Sequence, residues 1–301
     1  MLEHVDCGII VITYNSARHI EHLLNSLPAA TGELTIRCVV VDNDSSDETL
    51  SIVRARGDVH AVEGGGNHGY AGAINIGRGV IGSCSSVLIL NPDLVLEPDA
   101  VVRLHQALEQ PGVGIAVPTL LSNHGDLYPS IRYEPTVTRA LGEAFFGARL
   151  GNRPGWLSEI IRDPAAYHQP RDVAWAGGAA LLVSSACHDA VGDWDSDRFF
   201  LYSEETDFAA RARRCGFRVH YVPTARARHE DGGSGRSPAL GALMAVNRVR
   251  YYEKYHRRPA TSLFRAAVVL HYLLRSANAD QRIALGALIR RSSWQRLPGC
   301  R

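Results

Sequence analysis

The stretch "SVLILNPDLVLEPD", residues 86–99, decides how the chain is read. Its first five residues, Ser86-Val87-Leu88-Ile89-Leu90, have the unbroken apolar character of an interior strand. An amide, a proline and a carboxylate then arrive together as Asn91-Pro92-Asp93, and apolar residues resume. Alone, such a triplet is an ordinary turn. Its meaning depends on how the neighbouring strands end.

Upstream, short apolar runs at 8–13, 37–42 and 59–62 alternate with segments of helical character at about 16–27, from 45 or 46 onward, and at about 71–81. Apolar strands separated by helices predict a parallel sheet covered on both faces. Such sheets bind ligands at the carboxyl ends of their strands. Here the first strand ends in Thr13-Tyr14-Asn15 and the second in Asp42-Asn43-Asp44-Ser45. The third is followed by Asn67-His68-Gly69-Tyr70-Ala71-Gly72-Ala73-Ile74-Asn75, and the fourth ends in Asn91-Pro92-Asp93. Four polar, acidic termini on one edge of a sheet form a site. The glycine loop has neither the Walker lysine nor the GxGxxG order, which disfavours a P-loop or dinucleotide fold.

Residues 119–172 are irregular apart from a possible helix near 138–150. Regular character returns at 173–183, "VAWAGGAALLV", where Gly177 and Gly178 permit close backbone approach. Next, "FFLYSEETD" (199–207) opens a helix running to about Cys215 and stopped by Gly216. Acids in a first helical turn complement the helix dipole. Three of them (Glu204, Glu205 and Asp207) directly after an aromatic run would be partly buried, and carboxylates are seldom buried without a role. A strand at 218–222 and the segment 228–234, "RHEDGGS", follow.

Composition narrows the class. The 301 residues are 46% hydrophobic and 21% charged, as in a globular protein with a substantial core. No window reaches the about 18 uninterrupted apolar residues of a membrane span. The N-terminus, "MLEHVDCGIIVITYN", reads as a first strand and not as a signal peptide. Six cysteines without a CxxC pair point to reduced thiols in a cytoplasmic protein, and thirteen histidines show no HxxxH or HExxH spacing. The net charge of +1 hides an asymmetry: residues 1–247 carry 20 Lys/Arg against 29 Asp/Glu, and residues 248–301 carry 12 against 2. A basic tail on an acidic body suggests an anionic partner. No nucleic-acid recognition motif accompanies it.

In order along the chain, "VITYNS", "VVVDNDSSDET", "NHGYAGAIN", "LILNPDLVL", "YPSIRYEP", "WAGGAALLV", "FFLYSEETDFAARARRCGFRV" and "ARHEDGGS" resemble the family-2 inverting glycosyltransferases of the GT-A fold, especially the rhamnosyltransferase-like branch. The resemblance covers about residues 8–237. It implies an α/β fold with a mostly parallel, Rossmann-like central sheet, helices on both faces and, at 238–301, a basic helical extension. The catalytic part, 1–237, would divide into a nucleotide-binding half (about 1–118) and an acceptor and catalytic half (119–237).

The same resemblance assigns roles. Thr13, Tyr14, Asn15, Asp42, Asp44, Asn67, Gly69, Asn75 and Asn91 would bind the donor nucleotide. Asp93, in the position of the family's DxD motif, and His229 would hold Mg²⁺ or Mn²⁺, hard cations suited to oxygen ligands. Asn91 is neutral where DxD has an acid, which weakens that site. Glu205 stands where the family has its catalytic aspartate, one methylene longer, with Glu204 and Asp207 in the same motif. Arg132, Trp175, Gly177 and Gly178 would line the sugar and acceptor pocket.

The favoured function is transfer of L-rhamnose from dTDP-L-rhamnose to a hydroxyl of a glycan, lipid-linked sugar or small natural product. Transfer of another hexose from a UDP- or GDP-sugar is an alternative, as is a non-catalytic nucleotide-sugar-binding protein. A nucleotidyltransferase is disfavoured because its N-terminal glycine-rich basic loop is missing. For the tail, a helix packed on the catalytic domain with a solvated basic face is weighed against peripheral contact with an anionic membrane surface.

Overall fold

The computed structural model describes residues 3–147, 153–229 and 237–299. The first half alternates β1 (Val5–Thr13), α1 (Ile20–Thr31), β2 (Ile36–Asp42), α2 (Thr49–Arg54), β3 (His60–Glu63), α3 (Gly69–Ile81) and β4 (Cys84–Leu90). After Asn91-Pro92-Asp93 come β5 (Leu94–Leu96), α4 (Ala100–Leu108) and β6 (Val113–Ser122). The irregular middle holds β7 (Leu127–Tyr128), β8 (Ile131–Arg132), α5 (Val137–Phe146), β9 (Arg171–Val173) and β10 (Trp175–Ala176). Then follow β11 (Ala180–Ser184), α6 (Ser185–Val191), α7 (Glu204–Arg214) and β12 (Arg218–His229), and finally α8 (Pro238–Tyr255), α9 (Arg258–Leu273) and α10 (Ala279–Ile289).

The main sheet runs β3-β2-β1-β4-β11-β6-β12-β5. β3, β2, β1 and β4 are mutually parallel, as are β6 and β12, whereas β11 is antiparallel to both of its neighbours. From β1 the chain moves outward to β2 and β3, then returns to place β4 on the other flank of β1. The carboxyl ends of β1 and β4 therefore flank a topological switch point, where open α/β sheets leave a crevice.

Strand periodicity explains the two-sided core. In β1, Ile10 and Ile12 face the layer containing Ile74, Trp194 and Phe208, whereas Ile9 and Val11 face Leu23, Leu24 and Leu104. The first layer packs tightly because α3 carries Gly77, where a Cβ would come within 2.5 Å of Ile10. A third core joins α5 to α8, α9 and α10 through Ala140, Val246, Phe264, Val268, Leu288 and Trp294. The extension is thus knitted to the irregular middle segment.

Several expected boundaries move. Ser16 does not open α1; its carbonyl accepts from the His19 and Ile20 N–H groups, so it forms a preceding turn. α2 begins at Thr49, after the loop of strand-end side chains. Residues 173–183 are not one strand: β10 pairs with β8, β11 joins the main sheet, and Gly177-Gly178 carry the break. β12 continues to His229 because a shift of register between Val222 and Arg226 lets it pair with both β6 and β5. Cys7, Cys38, Cys84 and Cys187 are free and buried, and Cys215 is free and exposed. Cys300 lies outside the described residues.

Part of the basic tail is turned inward, whereas Arg257, Arg258, Arg282, Arg290, Arg291 and Arg296 are exposed. Arg248 pairs with Glu159 at 2.8 Å, Lys254 with Asp195 and Asp207 at 2.6 Å, and Arg291 with Glu253. Arg265 donates to the carbonyls that end α10, and Arg275 to those that end α5. No helix among the described residues is long and apolar enough to cross a membrane.

Candidate active site

The ends of β1, β2 and β4 and the start of α3 open into a cleft of ≈ 810 Å³. Tyr14, Asn15, Asn67, Gly69, Asn91 and Asp93 line it, together with Asn43 and Tyr70. Asn43 ties the cleft together: its side-chain nitrogen donates to the Asn67 Oδ1 (3.1 Å) and the Gly69 carbonyl (3.2 Å), and its Oδ1 accepts from the His68 N–H (2.8 Å). At Gly69, φ is +70° and a Cβ would collide with the Phe200 carbonyl oxygen, so only glycine fits.

Thr13 and Asp42 lie beneath this lining and shape it. The Thr13 hydroxyl donates to Asp42 Oδ1 at 3.0 Å, and Asp42 Oδ2 accepts from the Ser45 N–H at 3.0 Å. Asp44 is exposed with φ +74°, and Asn15, with φ +51°, accepts from both the N–H and hydroxyl of Ser46. Asn75 is not in the cleft. Its amide exchanges hydrogen bonds of 2.9 Å with the Trp194 N–H and carbonyl, locking α3 to the 194 loop.

Pairing of β12 with β5 sets His229 opposite Leu94, next to Asp93. His229 Nε2 stands 3.5 Å from Asp93 Oδ1, and the imidazole stacks on Tyr128. Two ligand atoms in adjacent positions about Mg²⁺, each about 2.1 Å from it, lie about 3 Å apart. The pair therefore fits a hard divalent cation. Among the described residues no group of three or more His, Cys, Asp or Glu could hold a metal, so remaining ligands would come from substrate and water. Residues 230–234 of the "ARHEDGGS" segment lie outside the described residues.

On the far side of the cleft, Tyr202 (φ +69°) and Ser203 (φ +71°) form a left-handed turn directly before α7. Consecutive non-glycine residues in that region are strained and need external support. Asn247 on α8 supplies it, donating to the Leu201 (2.9 Å) and Tyr202 (3.2 Å) carbonyls. The turn buries Glu204 and half-buries Glu205, and each keeps a buried Oε2 without a hydrogen-bond partner. Burial raises the Glu205 pKa to about 7, with the Arg132 charge pulling the other way. Burial, then repulsion from Glu205, holds Glu204 well above the carboxylate range.

Glu205 lines a second cavity, of ≈ 270 Å³, with Arg132, Trp175, Tyr202 and Arg248. Between the cavities stands Tyr70, whose hydroxyl donates to the Gly178 carbonyl at 2.8 Å. A Cβ on Gly178 would touch both Tyr70 (3.6 Å), which lines the cleft, and Glu205 (3.7 Å), which lines the second cavity. Gly177 has open space beside it. Asp207 is placed elsewhere. Its fully buried carboxylate accepts from Arg211 Nε (2.9 Å) and the Tyr255 hydroxyl (2.6 Å), and pairs with Lys254, fastening α7 to α8. Tyr70 was part of the "NHGYAGAIN" motif without a role of its own, and Arg248 and Asn247 were not picked out by motif reading. A polar Asn inside an otherwise ordinary helical stretch was the one faint signal for Asn247.

A cleft at the ends of a parallel sheet, with Asp93 and His229 close together near it and a half-buried carboxylate at Glu205, is compatible with a glycosyltransferase. The chain belongs to glycosyl transferase family 2, whose model matches residues 8–167. It is similar to the N-acetylglucosaminyl-diphospho-decaprenol L-rhamnosyltransferase of Mycobacterium tuberculosis, 29% identical over 89% of this chain and 93% of that protein. The low-salt glycan biosynthesis hexosyltransferase of Haloferax volcanii is 30% identical over 69% of this chain and 62% of its own length. Among solved structures, the Pyrobaculum calidifontis mannosyltransferase in complex with GDP-Man and Mn²⁺ shares the fold, with a TM-score of 0.57 at 20% identity over 95% of this chain and 76% of that one. Residues 1–349 of the S. aureus protein TarS give 0.52 at 16% identity over 97% and 91%.

Proposed function

We propose that this protein is a metal-dependent, inverting rhamnosyltransferase that moves L-rhamnose from dTDP-L-rhamnose to a hydroxyl of a sugar carried on a lipid diphosphate. The observation that carries the reading is the cleft of polar strand ends that includes Asp93, 3.5 Å from His229, with Glu205 beside Gly178, whose carbonyl accepts from the cleft residue Tyr70. The choice of sugar and acceptor rests on the likeness to the mycobacterial rhamnosyltransferase along nearly the whole chain.

Asn15, Asn43 and Asn67 hold the nucleoside at the strand ends, above the Thr13–Asp42 support. Asp93 and His229 would hold Mg²⁺ or Mn²⁺, which would offset negative charge on the leaving diphosphate. Glu205 Oε2 takes the proton of the acceptor hydroxyl as that oxygen attacks the anomeric carbon from the opposite face. The bond from the anomeric carbon to the diphosphate oxygen breaks, and its electron pair leaves with the nucleoside diphosphate. A pKa of about 7 suits this task, because the base is about half ionised at neutral pH yet basic enough to accept the proton.

A second reading, transfer of another hexose from a UDP- or GDP-sugar, draws support from the similarity to the Haloferax hexosyltransferase. A panel of dTDP-, UDP- and GDP-sugars, with nucleoside-diphosphate release followed by mass spectrometry, separates the two. Release from dTDP-rhamnose alone is expected; turnover only with UDP- or GDP-hexoses moves the assignment to the second reading. Peripheral membrane contact belongs to the same proposal. Its surface is the exposed apolar set Phe145, Phe146, Leu273 and Leu274, which Arg275 brings together at the end of α5.

A further inference from the structure

The second cavity contains one charge that the transfer step leaves unanswered. Arg132, Arg248, Glu143, Glu159 and Glu205 all line it. Arg248 is paired with Glu159 and Glu143 with Arg153, each at 2.8 Å. Arg132 donates through Nη1 to the Pro129 (2.6 Å) and Ile131 (3.3 Å) carbonyls, and no carboxylate of the described residues forms an ion pair with it. Its guanidinium lies 5.6 Å from the centre of the Trp175 ring, whose indole N–H donates to the Tyr133 carbonyl. A guanidinium cannot discharge itself by losing its proton. A half-buried cation with no carboxylate bound to it is costly, and the cost grows when Glu205, which lines the same cavity, becomes neutral on taking the acceptor's proton.

We propose that Arg132 binds an anionic group on the acceptor, carried by the same sugar whose hydroxyl Glu205 deprotonates. For the acceptor class proposed above, that group is the phosphoryl on the anomeric oxygen, so the inference rests on that reading and deepens it. The donor diphosphate is not the anion meant. Arg132 lines no part of the donor cleft, and the Tyr70–Gly178 hydrogen bond stands between. The planar fork of arginine matches phosphate oxygens two at a time, and Trp175, over whose ring the guanidinium lies, lines the same cavity. At ≈ 270 Å³ the cavity suits one sugar and its substituent, not an oligosaccharide.

The test is binding, with the donor cleft filled by saturating dTDP or UDP. N-acetylglucosamine 1-phosphate and the methyl glycoside of N-acetylglucosamine are titrated calorimetrically into wild type, Arg132→Gln and Arg132→Lys. Wild type is expected to prefer the phosphate by about 10-fold or more, the order carried by a charge-assisted hydrogen bond. Arg132→Gln should lose that preference while binding the methyl glycoside and the nucleotide as before. Should glutamine disturb folding, seen as lost nucleotide affinity, Arg132→Lys carries the test: it keeps the charge without the fork and should weaken phosphate binding alone. Equal binding of the two ligands by wild type, or a preference that survives in both variants, overturns the proposal. Transfer assays keep the two readings apart: a wild type that glycosylates neutral acceptors as fast as phosphorylated ones keeps the transferase assignment and loses this one.

Discussion

Glu205 shows what a single residue can and cannot reveal in sequence. Burial of the acids in "YSEETD" was legible because acids after an aromatic run are uncommon, and family resemblance singled out Glu205 among them; its pKa was not legible, since that depends on burial in the fold and on the Arg132 charge. Glu205→Gln should lower kcat by about 10²–10⁴-fold, the usual worth of a general base, with donor KM unchanged. Stopped-assay kinetics check this, and a larger loss in Glu204→Gln would move the base by one residue. Only the ionised base accepts a proton, so kcat/KM should rise with pH through about 7, where burial holds the Glu205 carboxyl. The limb should be absent from the residual activity of Glu205→Gln. At the other wall, Asp93→Ala should abolish transfer, and chelator should inhibit wild type until Mg²⁺ or Mn²⁺ is returned; full activity after exhaustive chelation would remove the metal from the mechanism. Asp93 and His229 are far apart in sequence, and family resemblance, not spacing, paired them.

At the scale of elements, β1, β2 and β4 were readable because buried parallel strands leave long apolar runs, whereas β3, a partly exposed edge strand, left a weaker one. The region 173–183 was not readable, because one apolar run serves two sheets and hydropathy alone cannot distinguish a break from a continuous strand. The left-handed turn before α7 was also invisible, since Tyr and Ser give no local sign of positive φ and its support comes from 45 residues downstream. Asn247→Leu removes both donors to that turn. It should cut kcat at least about 10-fold through misplacement of Glu205 while leaving nucleotide affinity near wild type. Calorimetry with nucleoside diphosphate beside steady-state rates reads the split, and equal loss of both would mark Asn247 as a general stability residue.

For the molecule as a whole, composition exposed the charge imbalance of the tail but not where its cations point. Many of them serve internal carboxylates and helix-end carbonyls, which hydrophobic periodicity cannot foresee. Membrane contact, if made through Phe145, Phe146, Leu273 and Leu274, should then depend more on apolar area than on salt. Flotation with anionic vesicles is expected to persist at raised ionic strength and to fall in a Phe145→Ser/Leu274→Ser double variant. Loss of flotation on reversing Arg290 and Arg291, with the apolar variant unaffected, would return the role to the basic face.

The grip of α8 on the turn before α7 also bears on how relatives of this chain could diverge. A recombination event, or an engineer, that exchanged everything after residue 237 would separate Asn247, Lys254 and Tyr255 from Leu201, Tyr202 and Asp207, which they hold. Inheritance of acceptor preference should therefore travel in a block that includes 199–207 together with the last three helices. Chimaeras cut at residue 237 should be inactive, and those that carry both pieces from one parent should work.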